Sequence, residues 1–287
     1  MKKILIIIIV ILLCGCSYEE RKVDINNINN FNYDDAKEFE FDIHSQEYMM
    51  IKISDLSVLY KKNTEKIIYP ASLTKLVTLD TVLNKVENLD DKSYVTRKQI
   101  DDLIAEDASL AYIEPDYQYT IEDLLYCLIL PSGADAAKAL ENYFETKNMN
   151  LIEEMNIQSS NLGCENSNFV NSTGLHDDNH YTTLDDLFKV IMDILRYIKG
   201  REILETIWHI TEDGIQLGSS VAPVVIDDGN ILGGKTGYTP ESGQSIVVLF
   251  RKDNRSYLLM LANAMGDRKQ KQYWHYEDAI EIINRLY

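Results

Sequence analysis

Ser72-Leu73-Thr74-Lys75 is the first stretch in the chain whose residue types and spacing could do chemistry together. On a helix, side chains three residues apart share a face, so the Ser72 hydroxyl and the Lys75 amine fall within hydrogen-bonding reach. A serine hydroxyl is a poor nucleophile until a neighbouring base takes its proton, and a lysine held neutral is such a base. Ser72 is the only serine followed by a lysine three positions later. A second group, Lys235-Thr236-Gly237, lies in a run from Ile231 to Tyr238 that reads as a strand. There Lys235 and Thr236 offer donors to a carboxylate, and Gly237 lets a peptide substrate lie close along the backbone. A third, Ser132-Gly133-Ala134, follows Pro131 at a break between two helical segments and presents a hydroxyl from a short loop. Taken singly, each has a plain structural reading: a helix-start serine with a surface lysine, a strand-end glycine turn, and a helix–helix connection.

These groups are distant in sequence, so the elements around them must gather them. Tyr48–Ile53 and Val58–Lys62 read as strands joined by a turn at Ser54-Asp55. A helix is expected from about Ser72 to Val86, with Leu73, Leu76, Val77, Leu79 and Val82 on one side. Further helices are expected at 121–130, 135–147, 150–161 and 184–197, with Thr120 and Thr183 as N-terminal caps. Ile231–Gly237, Ser245–Arg251 and Ser256–Asn263 read as consecutive antiparallel strands, and Trp274–Leu286 as a closing helix. Strands at both ends of the chain with helices between them imply an α+β architecture: a sheet lobe of about 38–70 and 205–287, and a helical lobe of about 71–204.

Composition narrows the function. The 46 Asp+Glu against 28 Lys+Arg give a formal charge of -18, which leaves no basic face for nucleic acid. Cys127 and Cys164 are the only cysteines beyond the N-terminal segment, too few for a disulfide scaffold; Cys127 reads as core packing and Cys164 as a free thiol in a loop. His176 and His180, with Asp177 and Asp178, fall in a loop rather than on one helix face, so no metal site is expected. At the N-terminus, Lys2 and Lys3 precede an unbroken apolar run from Ile4 to Leu13. That run is too short for a bilayer of about 30 Å but fits an export signal. Leu13-Cys14-Gly15-Cys16 resembles a bacterial lipobox, so residues 1–15 are expected to be a lipoprotein signal peptide. Residues 16–37 read as a polar tether and 38–287 as the catalytic domain. A lipid on Cys16 would hold the protein at the outer face of the cytoplasmic membrane.

In chain order the three motifs, SxxK, the central loop at Ser132 and KTG, resemble the set known from penicillin-recognising serine enzymes. With the blocks YPASLTK, TIEDLLYCLILPSGADAAKAL, FVNSTGLHDDNHYTTLDDL and GGKTGYTPESG, the chain resembles, over about residues 45–287, the D-alanyl-D-alanine carboxypeptidases of the low-molecular-mass penicillin-binding proteins, peptidase family S11. The resemblance implies the fold of serine β-lactamases and penicillin-binding proteins, an antiparallel sheet flanked by helices with a helical subdomain. It implies a peptidoglycan stem peptide ending in D-Ala-D-Ala as substrate, β-lactams as inhibitors, and neither metal nor organic cofactor. By the same resemblance Ser72 is the nucleophile, Lys75 its base and Ser132 a proton relay. The N–H groups of Ser72 and Tyr238 form the oxyanion hole, and Lys235, Thr236, Gly237, Tyr238 and Arg268 bind substrate. Acting as a base requires the Lys75 pKa to fall from about 10.4 to about 7–8, which burial and the Lys235 charge are expected to supply.

One position departs from the family pattern: Ala134 stands where an asparagine is usual, which implies a slowed enzyme rather than a dead one. A literal Ser-x-Asn at Ser159-Ser160-Asn161 ends an amphipathic helix outside the family context and is read as a decoy. The alternatives are a β-lactamase-like hydrolase, for which no deacylating glutamate pattern follows the central motif, and a weakly active penicillin-binding module. The chain stops at Tyr287, just after the closing helix, so the lipid is expected to replace the C-terminal anchor of many relatives. Membrane attachment is then expected to depend on Cys16. A Cys16→Ala variant should appear in the soluble fraction, whereas one that still sediments wholly with membranes would point to an uncleaved apolar helix.

Overall fold

The computed structural model describes residues 35–225 and 230–286. The lipobox, Cys16 and most of the polar tether lie outside the described residues. In chain order the strands are β1 (Glu47–Lys52), β2 (Ser57–Lys62), β3 (Lys92–Ser93), β4 (Tyr119–Thr120), β5 (Trp208–Ile210), β6 (Gln216–Gly218), β7 (Ile231–Thr239), β8 (Gly243–Lys252) and β9 (Arg255–Ala264). The helices are α1 (Thr74–Lys85), α2 (Arg97–Ala105), α3 (Ile121–Ile129), α4 (Ala134–Thr146), α5 (Leu151–Asn161), α6 (Leu184–Ile194), α7 (Ile198–Leu204) and α8 (Trp274–Arg285).

Five strands form one antiparallel sheet in the order β2-β1-β9-β8-β7, so strands from both ends of the chain meet at the β1–β9 seam. The β8–β9 hairpin turns at Asp253 and Asn254, both at positive φ, the backbone that a tight two-residue hairpin turn demands and that Asp and Asn tolerate. Alternate residues face opposite layers. Met49, Ile51, Val247, Leu249, Leu258 and Met260 join the core beneath the helical lobe. Tyr48, Met50, Ile246, Val248, Leu259 and Leu261 pack with Ala279, Ile282 and Ile283 of α8 on the other face. Being buried on both faces is why β8 reads as an unbroken apolar run rather than an alternating one. The Lys235-Thr236-Gly237 strand, β7, is left at a sheet edge.

In the helical lobe α1 is the axis. Thr74 to Val82 are all buried, and α1 packs against α3, α5 and α6. Its polar side chains are satisfied locally: Thr78 Oγ1 donates to the Ser172 carbonyl at 2.9 Å and Thr81 Oγ1 to that of Val77 at 2.8 Å. Three expectations need correcting. Ser72 does not start the helix but sits in a separate 3-10 turn, Ala71–Leu73. The expected helix 184–197 ends at Ile194, and a second one, α7, begins at Ile198. Helix α2 was missed because it buries only Ile100 and Leu103; its signal was the Thr96–Gln99 capping box.

Asp80 of α1 and Asp193 of α6 meet over Gln158 of α5, whose Nε2 donates to Asp80 at 3.0 Å and to Asp193 at 3.3 Å. Burial, then the Asp193 charge, pushes the Asp80 carboxyl well above the usual carboxylate range. Its Oδ1 has no partner unless it carries a proton. An unfolded aspartate releases that proton near pH ~3.9, so this stability is complete below that pH and is lost as pH rises towards the folded value. Asp80→Asn keeps a donor without an ionisable proton. It should flatten the fall of Tm between pH 5 and pH 9; a fall as steep as in the wild type would show that Asp80 does not hold the proton.

Candidate active site

The turn that carries Ser72, the expected nucleophile, is clamped at two glycines. Ala71 adopts φ +47, and the turn closes by Leu73 N–H donating to the Pro70 carbonyl at 3.0 Å. One glycine is Gly174, at φ +84, where an added Cβ would fall 1.9 Å from the Ala71 oxygen. The other is Gly237, where it would fall 3.0 Å from the Pro70 oxygen and 3.3 Å from the Leu73 nitrogen. The missing side chain of Gly237 therefore accommodates the Ser72 turn, and the same residue also lines the cavity beside it.

The segment 171–175 that carries Gly174 is shaped by Asn171. Its Oδ1 accepts from the Thr173 and Gly174 N–H groups at 3.1 and 2.7 Å, and its Nδ2 donates to the Leu175 carbonyl at 2.9 Å. This aims the Thr173 carbonyl at Lys75, whose Nζ donates to it at 2.5 Å. His180 locks the segment to α1. Its Nδ1 accepts from the Val170 N–H at 3.1 Å, which leaves the proton on Nε2, 2.7 Å from Thr74 Oγ1. Burial depresses His180 to about 4, so the ring stays neutral.

Lys75 Nζ lies 3.1 Å from Ser72 Oγ. Only 1% of Lys75 is exposed, and burial lowers its pKa to about 7 against the opposing charge of Asp135. Desolvation alone thus does what was expected of burial and the Lys235 charge together. Lys235 is fully buried and is itself lowered by burial and then by Lys75; its Nζ is held 2.8 Å from the Thr236 carbonyl. A neutral Lys75 has two N–H bonds and one lone pair. With one N–H on Thr173, the lone pair is free to take the Ser72 proton.

Ser132 sits at φ +68, and its buried Oγ has no partner among the described residues. The next residues fix it. Gly133 N–H donates to the Cys127 carbonyl at 2.9 Å, and Asp135 accepts from the Ala111 and Ile113 N–H groups at 2.9 and 3.2 Å. On β7, the Thr236 N–H points away from β8, to Ser220 Oγ at 3.3 Å. Antiparallel alternation then turns the Tyr238 N–H to the same open edge, where an oxyanion donor is needed.

Ser72, Ser132, Thr236, Gly237, Tyr238 and Arg268 line one cavity of about 190 Å³. The Arg268 guanidinium lies 4.6 Å from the Tyr238 ring centre and 6.0 Å from that of Tyr273. Lys75 and Lys235 stand behind the wall rather than in it, so direct contact of Lys235 with a ligand is not what this geometry offers. Ala134 is buried at the start of α4 and is not part of the lining. Ser159 is buried on α5, away from the cavity wall. His180 is committed to Thr74, and among the described residues no group of His, Cys, Asp or Glu is arranged to hold a metal ion. Among the described residues Cys127 and Cys164 are both buried and unpaired. A larger groove of about 400 Å³ beside α4 and α5, lined by Glu141, Glu145 and Glu153, brings no nucleophile. Ser220, Asp135, Asn171 and Gly174 escaped sequence reading; the only trace of the last two was the quoted FVNSTGL block.

The family described as D-alanyl-D-alanine carboxypeptidase, peptidase S11, matches residues 33–266, and the chain belongs to it. Among its relatives, D-alanyl-D-alanine carboxypeptidase DacF of Bacillus subtilis is 23% identical over 74% of this chain and 56% of its own length. DacA of Haemophilus influenzae is 25% identical over 80% of this chain and 59% of its own length. The D-alanyl-D-alanine carboxypeptidase of Streptomyces sp. (strain K15) is 27% identical over 79% of this chain and 82% of its own. The chain thus spans less than two thirds of the first two relatives. The crystal structure of the Streptomyces K15 DD-transpeptidase superposes with a TM-score of 0.75 at 24% identity, covering 86% of this chain and 98% of that one. The expected α+β penicillin-binding-protein fold is therefore the fold of this chain.

The clamp on Ser72 is open to a direct check. Gly174→Ala should destabilise by about 2 kcal/mol or more in denaturant, the positive φ and the Ala71 contact adding. Gly163→Ala is the control, since Gly163 has φ +75 and nothing within 4 Å of an added Cβ. Equal losses in the two variants would remove the contact with Ala71 from the account.

Proposed function

We propose that the protein is a serine D,D-carboxypeptidase that removes the terminal D-alanine from peptidoglycan stem peptides and is acylated by penicillins. The observation that carries this reading is a nucleophile 3.1 Å from a fully buried amine with a pKa of about 7, at the wall of a cavity that also holds Thr236 and Arg268. Ser72 Oγ attacks the carbonyl carbon between the two D-alanines, and its proton passes to Lys75 Nζ. The oxyanion rests on the backbone N–H groups of Ser72 and Tyr238. Collapse breaks the C–N bond, and the leaving amine takes the proton from Lys75 by way of Ser132, a reading supported by the Ser132 side chain lining the same cavity as Ser72. D-alanine departs and an ester to Ser72 remains. Water then attacks the ester, gives its proton to Lys75, and Ser72 recovers its own as the acid is released. Arg268, in the wall of the same cavity as Thr236, supplies the local positive field that a carboxylate needs in a chain of charge -18.

The family membership and relatives named D-alanyl-D-alanine carboxypeptidase support this activity. A penicillin-binding protein of Listeria monocytogenes in its ampicillin-bound form is among the solved structures with this fold, at a TM-score of 0.71. We also propose that a lipid on Cys16 holds the domain at the outer face of the cytoplasmic membrane, the reading the Leu13–Cys16 sequence supports.

Intact-protein mass spectrometry should find one penicilloyl group on the wild type and none on Ser72→Ala, and D-alanine release should accompany it. The acylation rate should rise with pH through about 7 and level off above it, because only neutral Lys75 accepts the Ser72 proton. Labelling that survives Ser72→Ala, or a rate flat between pH 5.5 and 8.5, would overturn this mechanism. Penicillin turnover faster than D-alanine release would favour the β-lactamase-like alternative.

A further inference from the structure

We propose that Ser220 is a substrate-binding residue whose hydroxyl donates to the terminal carboxylate of the substrate, beside Thr236 and Arg268. The assignment rests on the D,D-carboxypeptidase reading above and adds a residue to its carboxylate end.

Ser220 is held from three directions. Its N–H donates to the Leu130 carbonyl at 2.8 Å, at the end of α3 and two residues before Ser132. Its carbonyl accepts from the Tyr276 hydroxyl of α8 at 2.9 Å. Its Oγ accepts from the Thr236 N–H at 3.3 Å. The backbone therefore cannot drift, and the side chain is oriented by β7. An accepted bond on Oγ leaves the hydroxyl proton to be donated elsewhere, and that proton meets no acceptor among the described residues.

The residue lines the cavity together with Thr236 and Arg268. Lys235 does not: it is fully buried, with its Nζ on the Thr236 carbonyl. Among the groups that line the cavity at this end are thus two hydroxyls, of Ser220 and Thr236, and the Arg268 guanidinium, beside the aromatic side chains of Tyr273 and Tyr276. A carboxylate offers two oxygens with about four acceptor positions. Two hydroxyl donors and a planar guanidinium match that demand, and an uncharged end would leave Arg268 without an anion. Because the same hydroxyl also holds the Thr236 N–H, a carboxylate seated on it is kept in register with β7 and the oxyanion donor two residues on.

The structural alternative is that Ser220 only caps an edge N–H. Two thioester substrates with the same acyl group separate the roles, one with thioglycolate as leaving group and the other with its uncharged methyl ester. Ser220→Ala should lower kcat/KM on the carboxylate substrate about 10-fold or more and leave the ester substrate within about 2-fold. Ser220→Thr, which keeps the hydroxyl, should restore most of the loss. Equal losses on both substrates, or no loss on the first, would overturn the assignment while leaving the enzyme's function standing. A wild type that hydrolyses neither thioester and takes no penicilloyl group would instead overturn the function itself, and this assignment with it.

Discussion

The site depends on keeping one amine out of water. A lysine on the surface is charged at neutral pH and useless as a base; Lys75, buried behind Ser72, is lowered to about 7 by desolvation. That requirement explains why α1 is the axis of the helical lobe. A helix from which a lysine must be hidden has to be enclosed on every side, and from Thr74 to Val82 it is. Enclosure in turn forces each polar side chain on α1 to find an internal partner. Thr74 meets His180, Thr78 meets the Ser172 carbonyl, and Asp80 shares Gln158 with Asp193. Two of these partners belong to the 170–182 region that also supplies the Thr173 carbonyl to Lys75, so burying the helix and orienting its amine are one construction.

Strain is concentrated where the reacting groups are. Ala71, just before the nucleophile, and Ser132 both hold positive φ, a conformation that costs about 1–2 kcal/mol for an L-residue. Neither would persist alone. Ala71 is held because the backbones at Gly174 and Gly237 both press against its turn. Ser132 is held by Asp135, which collects the N–H groups of a neighbouring segment, and by the bond from Gly133 to Cys127. The glycines matter here for the atoms they lack. The sheet edge, the helical core and the 171–175 segment converge on a turn too tight to admit a Cβ.

Much of this was legible in the sequence, for identifiable reasons. The spacing of Ser72 and Lys75 reports a helical face, and the apolar run in β8 reports burial on both sides, because both follow from local periodicity. Arg268 and Tyr238 were reachable through the family pattern. What was hidden depends on three-dimensional closure. Nothing local marks Ser220, which acts only because Leu130, Thr236 and Tyr276 arrive around it from three other elements. The fit of Gly237 against the Ser72 turn was hidden because a strand glycine has the same signature whether a ligand or the protein's own backbone approaches it. Ser72 was placed on the helix rather than on the turn before it, since three-residue spacing does not distinguish the last residues of a 3-10 turn from the first of an α-helix.

The same reasoning limits what alanine at position 134 changes. If the side chain there held the Ser132 turn in place, its loss would disorder that turn. The turn is held otherwise: by Gly133 N–H on the Cys127 carbonyl, by the backbone N–H of Ala134 itself on the Ser109 carbonyl at 2.8 Å, and by Asp135. None of these uses the side chain of residue 134. Ala134 is 1% exposed and contributes no surface to the cavity, so the position is filled rather than vacant. What an amide there would add is confined to contacts of its own, a polar group near Lys75 or a substrate amide, and not the geometry of Ser72, Lys75 and Ser132. The positioning of Ser72 and Lys75 is independent of that substitution, because every bond that secures them comes from backbone groups or from side chains other than that of residue 134.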